Sequence, residues 1–148
     1  MSTINQGNGV GTVTIAGMTI ASSALLVLTA HATGGQYDTL RNNGTAYQVT
    51  TGKTLYIFAI DGTSQASATL VYCQFGYGDT SVSDSAAAPT NSVLRRAGGI
   101  AQWAQELVFA PSTPNNIKLC NITVPASKYP YFLPQGGAAA MTVYAYEV

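Results

Sequence analysis

Charge is the scarcest property of this 148-residue chain, because Asp, Glu, Lys and Arg together make up only 8% of it. Ordinary globular proteins carry about 25% of these residues. The six basic and six acidic residues cancel, and Arg95 and Arg96 form the one adjacent basic pair. Binding of nucleic acid needs a clustered positive surface, so we expect no nucleic-acid partner. A weakly charged surface is poorly protected against self-association, which favours a homo-oligomer.

Residues that carry out catalysis or hold metal ions are also few. His31 is the only histidine, Asp38 is the acid nearest to it in sequence, and no G-x-S-x-G motif is present. Six scattered acids supply a pair of carboxylates by chance alone. Asp79 and Asp84 lie in a polar stretch, but their spacing does not match the EF-hand pattern. We therefore predict a protein that is not an enzyme and has no cofactor or metal ion, with His31 as a surface or hydrogen-bonded residue and Asp79 and Asp84 as solvated turn residues.

Cysteines and long apolar runs are equally rare. Cys73 and Cys120 lack the CxxC spacing, which argues against a disulfide framework or a zinc site. We expect two buried thiols, with a single disulfide between two strands as the alternative. The apolar run at 24–28 is too short to cross a membrane. No Lys or Arg precedes Arg41, so we expect no signal peptide and folding in a cytoplasm.

Apolar residues, in contrast, make up 47% of the chain, and Ser, Thr, Asn, Gln and Gly supply most of its polarity. A chain of this length forms one domain that buries about 68–70% of its unfolded surface. Alternating polarity and turn residues predict short strands. These include 18–29 (as one or two strands), 46–49, 54–60, 67–77, 117–124 and 140–146. The total is seven or eight strands without a βαβ unit, which predicts a sandwich or a barrel.

Three of these predictions go further. Residues 46–49 and 54–60 are expected to form a hairpin across a turn at 50–53. Residues 55–60 are apolar on both faces, so we expect a second sheet or another subunit to cover both sides of this strand. The last strand has two distinct faces, with Met141, Val143 and Ala145 on one and Thr142, Tyr144 and Tyr146 on the other.

Other segments have patterns of a different kind. Two prolines at 129–134 predict an edge strand or an extended connection. Residues 78–92 form a polar loop whose length indicates a functional or mobile segment. Residues 100–109 fit both a strand and a helix, and we expect a strand. Residues 1–16 are uncharged and rich in Gly, Thr and Asn, which predicts a flexible or extended N-terminal arm. Residues 17–148 then form the β-sandwich domain.

Aromatic residues are the notable side chains, with nine Tyr and four Phe. In β proteins they mostly fill the core and form cross-strand pairs. A protein interface or a surface that stacks on sugars is the alternative. Trp103, with Arg95 and Arg96 nearby, is the best interface candidate because Trp and Arg dominate binding hot spots. Ordinary packing and surface charge would explain the same residues.

Two stretches carry a resemblance to a known family. One is YQVTTGKTLYI at 47–57, and the other runs from VPASKYP at 124–130 to VYAYE at 143–147. Together they resemble the strands of small jelly-roll proteins on tailed-phage particles, including the trimeric capsid decoration (cement) proteins. The resemblance covers about residues 45–148.

The resemblance implies an antiparallel jelly-roll-like sandwich that forms a homotrimer where capsid hexamers meet and stabilises the phage head. The major capsid protein would be its partner, and the virion surface its location after synthesis in the host cytoplasm. The N-terminal arm would reach a neighbouring subunit or the shell, which makes Thr12, Val13 and Thr14 further interface candidates. The alternative is a carbohydrate- or receptor-binding β-module on a phage tail or fibre that uses exposed tyrosines.

Overall fold

The computed structural model describes residues 11–15, 17–64, 71–95, 108–109, 117–135 and 137–148. Within them there are thirteen strands and no helix. The strands are β1 (Thr12–Ile15), β2 (Met18–Ala21), β3 (Leu26–Ala32), β4 (Asp38–Thr39), β5 (Arg41–Asn42), β6 (Thr45–Ala46), β7 (Leu55–Ser64), β8 (Val71–Gly78), β9 (Val93–Arg95), β10 (Val108–Phe109), β11 (Ile117–Val124), β12 (Tyr129–Gln135) and β13 (Ala139–Glu147).

Two large antiparallel sheets form the body of the molecule. The first has the order β11-β7-β13-β3-β5-β6. The second has the order β10-β8-β12-β4, and β9 also pairs with β8. The sheets face each other, with β12 and β4 against β3 and with β8 against β11. The predicted all-β antiparallel sandwich is therefore confirmed, with more and shorter strands than the seven or eight expected.

The core lies between the two sheets. Leu28, Ile60 and Val143 are fully buried and come from neighbouring strands of the first sheet. Phe75 and Phe132 come from paired strands of the second sheet, with ring centroids 6.2 Å apart. Burying an apolar side chain of this size stabilises the fold by about 1.5–3 kcal/mol, so these contacts hold the sheets together.

β13 follows the predicted alternation closely. Met141, Val143 and Ala145 are buried in the core, whereas Thr142 and Tyr144 are partly exposed on the opposite face. β13 pairs with β3 on one side and β7 on the other. It therefore lies in the middle of the first sheet, and the side chains of Thr142 and Tyr144 lie in a row on the outer face.

Residues 55–60 of β7 are mostly buried on both faces, but the second sheet covers only the inner one. Ile57 and Ile60 point into the core. Ala59 pairs with Tyr144 while Ile57 pairs with Ala145, so Phe58 is the extra residue of a β-bulge. Phe58 is only 7% exposed and contacts the ring of Tyr146. Aromatic side chains of the same sheet thus shield part of the strand away from the core.

The predicted edge position of 129–134 is wrong, because β12 lies inside the second sheet between β8 and β4. The carbonyl oxygen of Pro130 accepts a hydrogen bond from the N–H of Leu40 at 2.9 Å. That of Pro134 accepts one from Gly35 at 2.7 Å. In an antiparallel strand the N and C=O of one residue point to the same side. Both proline nitrogens therefore face the side occupied by residues 35–40, and the ladder with β8 loses no N–H donor.

The predicted hairpin between 46–49 and 54–60 is also wrong. β6 contains only two residues and pairs with β5, while β7 is flanked by β11 and β13. The turn at 50–53 is present, closed by a hydrogen bond from the N–H of Lys53 to the carbonyl of Thr50 at 3.0 Å. β11 and β13 are long strands. They form many more ladder hydrogen bonds with β7 than the four residues 46–49 could form.

The polar loop after β8 is present and is fastened to β4. Tyr37 and Ser85 exchange two backbone hydrogen bonds of 2.7 and 2.9 Å. The N–H of Val82 donates to the hydroxyl of Thr39 at 2.8 Å. The N–H of Asp84 donates to the buried carboxylate of Asp38 at 3.2 Å. These bonds hold the loop against the second sheet.

The first described strands form a small hairpin of their own. β1 pairs with β2, with Thr14 opposite Thr19. Their hydroxyls lie 2.8 Å apart. The rest of the predicted arm, residues 1–10, lies outside the described residues, so the arm stays a prediction. The same holds for most of 100–109 and for the start of the strand predicted at 67–77.

Candidate functional site

The outer face of the first sheet carries a groove built from three adjacent strands. Thr142 of β13 lies directly opposite Thr29 of β3 and Asp61 of β7. Two residues away along β13, the small side chain of Ala140 leaves space beside this polar row. These four residues line a depression of about 290 Å³ together with Ala30 and Met141. We call Thr29, Asp61, Ala140 and Thr142 the outer groove.

Tyr144 borders the outer groove. It follows Thr142 on the same face of β13 and lies diagonally across from Asp61. Partial burial and, to a smaller extent, the negative charge of Asp61 raise the pKa of Tyr144. The phenol therefore stays protonated at neutral pH and presents a hydroxyl and a ring face beside the carboxylate.

An aromatic cluster extends the outer groove toward the end of β13. The rings of Tyr56 and Tyr146 are stacked, with centroids 5.5 Å apart and planes 15° from parallel. Phe58 packs against Tyr146 at 6.0 Å. The outer face of β13 thus passes from a polar depression to flat aromatic rings.

A second surface lies at the edge of the first sheet, on β11. Ile117 and Leu119 are 38% and 68% exposed, and we call these two residues the lateral patch. Ile117 lies opposite Asp61 and Leu119 lies opposite Ala59 of β7, so both side chains are on the outer face of the sheet. Val93 and Leu94 of β9, in the second sheet, are 40% and 39% exposed and are not part of the lateral patch.

A second depression lies near the C-terminus, but its polar groups bind one another. One carboxylate oxygen of Glu147 accepts hydrogen bonds from the hydroxyl of Tyr47 and from the N–H of Thr50. Burial and this hydrogen bond raise the pKa of Tyr47. Burial alone would raise the pKa of Glu147, but the bonds from Thr50 and Tyr47 outweigh it and lower the pKa. This cluster joins the chain end to the loop before β7.

The interface candidates from the sequence are only partly described. The backbone of Arg95 ends β9 in the second sheet. Arg96 and Trp103 lie outside the described residues. Thr12, Val13 and Thr14 lie in β1, where Val13 is 8% exposed. The structure does not bring β1 into either large sheet, and the proposed interface roles stay predictions.

The residues weighed for chemistry take structural roles. Asp38 accepts a hydrogen bond from the backbone N–H of His31 at 3.0 Å. The carboxylate of Asp84 accepts hydrogen bonds from the backbone N–H and the hydroxyl of Thr33. Asp79 pairs with Lys128, whose hydrogen bond lowers the pKa of Asp79. Cys120 donates to the carbonyl of Ile57 at 3.5 Å. Across the described ranges, no three His, Cys, Asp or Glu side chains lie close enough to hold a metal ion.

Sequence reasoning found one of the four residues of the outer groove, Thr142, together with Tyr144 at its border. The alternation of β13 placed Thr142 and Tyr144 on one face, but nothing in the sequence placed Asp61 or Thr29 beside them. Asp61 ends the apolar stretch 55–60, and this abrupt change to a charged residue is the one local signal of its exposure.

Comparisons with known proteins add no relative. Among the described residues, no helix has the length and apolar character needed to cross a membrane. No family model matches the chain, and neither a curated protein nor a solved structure matches it.

Proposed function

We propose that this chain is a non-enzymatic structural protein of a virion, which binds the major capsid protein on the outside of a phage head and stabilises the shell. The observation that carries this proposal is the lateral patch. In this patch, Leu119 is 68% exposed although it lies within strand β11. Exposed apolar patches of this kind mark surfaces that bind other proteins.

The position of the lateral patch strengthens the proposal. β11 is the last described strand of the first sheet, so its outer backbone groups are available for pairing within the described part of the chain. Proteins usually protect such an edge with charged side chains. The exposed residues Ile117 and Leu119 do the opposite, which favours burial against another subunit.

A homotrimer is the assembly that we propose, on the basis of the family resemblance and the low charge. In it the lateral patch of each subunit would contact a neighbour or the shell. The jelly-roll-like strand order, the extended N-terminal arm, the location on the virion surface and synthesis in the host cytoplasm belong to the same proposal.

The solution mass tests the assembly. Light scattering coupled to size exclusion should give about three times the subunit mass of 15.3 kDa. Leu119→Lys places a charge in the lateral patch and should yield monomers. Thr45→Lys introduces the same side chain at an exposed position of β6 and should leave the mass unchanged. A wild-type monomer would contradict the trimer.

Binding to the shell needs its own test. Wild-type protein should sediment with purified capsids of the phage whose genome encodes the chain, and it should raise the temperature at which they break. An oligomer that neither sediments with these capsids nor stabilises them would refute the capsid role while leaving self-assembly intact.

A further inference from the structure

The outer groove contains a carboxylate that is not used by the fold. Within the described part of the chain, no group donates a hydrogen bond to the carboxylate of Asp61 or forms an ion pair with it. Asp38 and Glu147 differ, since each accepts at least two hydrogen bonds from its surroundings. A partly exposed acceptor beside a depression is available to a ligand that brings donors.

The groups around Asp61 indicate the chemistry of that ligand. The hydroxyls of Thr29 and Thr142 each donate and accept hydrogen bonds, and Tyr144 adds another hydroxyl with an aromatic face. Among the described residues, no Lys or Arg side chain lines the groove. A ligand that matches this set has several hydroxyl groups, a flat apolar face and no negative charge.

We propose that the outer groove binds a neutral saccharide. Asp61 accepts hydrogen bonds from sugar hydroxyls, Thr29 and Thr142 hydrogen-bond to the same ring, and Tyr144 packs against its apolar face. The depression of about 290 Å³ lies at the small end of ligand sites, which are roughly 300–1,000 Å³. It therefore accommodates one sugar unit, and the rings of Tyr146 and Tyr56 extend the surface for the next unit.

Two other occupants fit the groove less well. Magnesium and calcium are held by several oxygen ligands, usually including more than one carboxylate, and the described residues place only Asp61 here. A basic segment of a protein would match the charge of Asp61 but would leave the threonine hydroxyls and the tyrosine ring without a specific role. The alternating hydroxyl and aromatic groups favour the sugar.

Saccharide binding is measured separately from capsid binding. The groove is centred on β13, and the lateral patch lies two strands away on β11, where Ile117 is the cross-strand partner of Asp61. The two surfaces are neighbours, so glycoside binding is tested on the wild-type chain and not on Leu119→Lys.

An NMR titration tests the proposal with methyl glycosides of glucose, galactose, mannose and N-acetylglucosamine. At least one glycoside should shift the amide signals of Asp61, Thr142 and Thr29 in a saturable way. No shift from any of the four, or shifts that never saturate, would overturn the proposal. Binding of hexalysine at these amides without binding of a sugar would also overturn it in favour of a basic protein segment.

Substitutions then locate the site. Asp61→Ala should weaken binding by about tenfold, equal to about 1.4 kcal/mol, because it removes the charged acceptor. Tyr144→Ala should weaken binding as well, while Tyr144→Phe keeps the ring and should retain most of it. Thr45→Val, outside the groove, is the control, and each variant's unfolding transition verifies that it folds. Undiminished affinity in folded Asp61→Ala would refute the assignment.

Discussion

The carboxylate of Asp38, only 3% exposed, accepts a hydrogen bond from the guanidinium of Arg41 at 2.8 Å. The same carboxylate also accepts the backbone N–H groups of His31 and Asp84. One buried charge thus joins β3, β5 and the loop after β8. These hydrogen bonds fasten the polar loop at 79–92 to the sandwich.

Replacing Asp38 with Ala should destabilise the protein by about 3 kcal/mol, because breaking a buried pair leaves its partners unsatisfied. Urea unfolding measures the change. Asp38→Asn keeps the shape and part of the hydrogen bonding, so its cost should be smaller. A loss below about 1 kcal/mol for Asp38→Ala would show that the pair behaves like an exposed one.

Glu147 should make stability depend on pH in the acid range. Its pKa in the folded state lies below the ordinary value of 4.5, so the carboxylate stabilises the fold above that pH. The contribution is lost as pH falls through the lower folded value. Since the group is partly exposed, we expect less than about 1 kcal/mol.

Urea unfolding at about pH 7 and about pH 3, on either side of the carboxyl pKa, measures this contribution. Wild type should exceed Glu147→Gln at the higher pH, and the difference should shrink at the lower one. Tyr47→Phe removes one donor and should bring the pKa of Glu147 closer to its ordinary value. A difference that is equal at both pH values would rule out the carboxylate as its cause.

Gly76 should not tolerate a side chain, because a Cβ there would overlap the carbonyl oxygen of Val93 and the hydroxyl of Tyr131. Gly76→Ala should therefore destabilise the protein by about 3 kcal/mol, a cost typical of overpacking. Gly35→Ala is the comparison, since its Cβ meets open space but its φ is +81°. That strain costs about 1–2 kcal/mol. Urea unfolding that ranks Gly35→Ala as the worse variant would contradict the packing around Gly76.

Hydrogen exchange should show that β12 is an inner strand. The amides of Tyr131 and Leu133 face β8, on the side opposite to the proline nitrogens. They should exchange only on global unfolding. The amide of Thr90, bonded to a hydroxyl in the exposed loop, should exchange much faster by local opening. Similar rates for Tyr131 and Thr90 would support the edge position that the prolines suggest.

The sequence was sufficient where the local pattern reflects burial. Alternation in β13 and the doubly apolar stretch of β7 each predicted a strand, and the structure places the two strands side by side in the first sheet. Both patterns survive folding because a strand exposes successive residues to opposite faces. Strand pairing could not be predicted from the sequence. The predicted turn at 50–53 is present, but the residues before it do not pair with β7.

By itself the sequence determined the all-β class, the inner and outer faces of β13 and the scarcity of charge that makes assembly our preferred function. These properties depend on residue type and on a period of two. The tertiary structure alone decided that Pro130 and Pro134 fit an inner strand, since this depends on which side their nitrogens face. It also decided that Asp61, Thr142 and Thr29 lie in one row, because pairing between distant strands sets which side chains become neighbours.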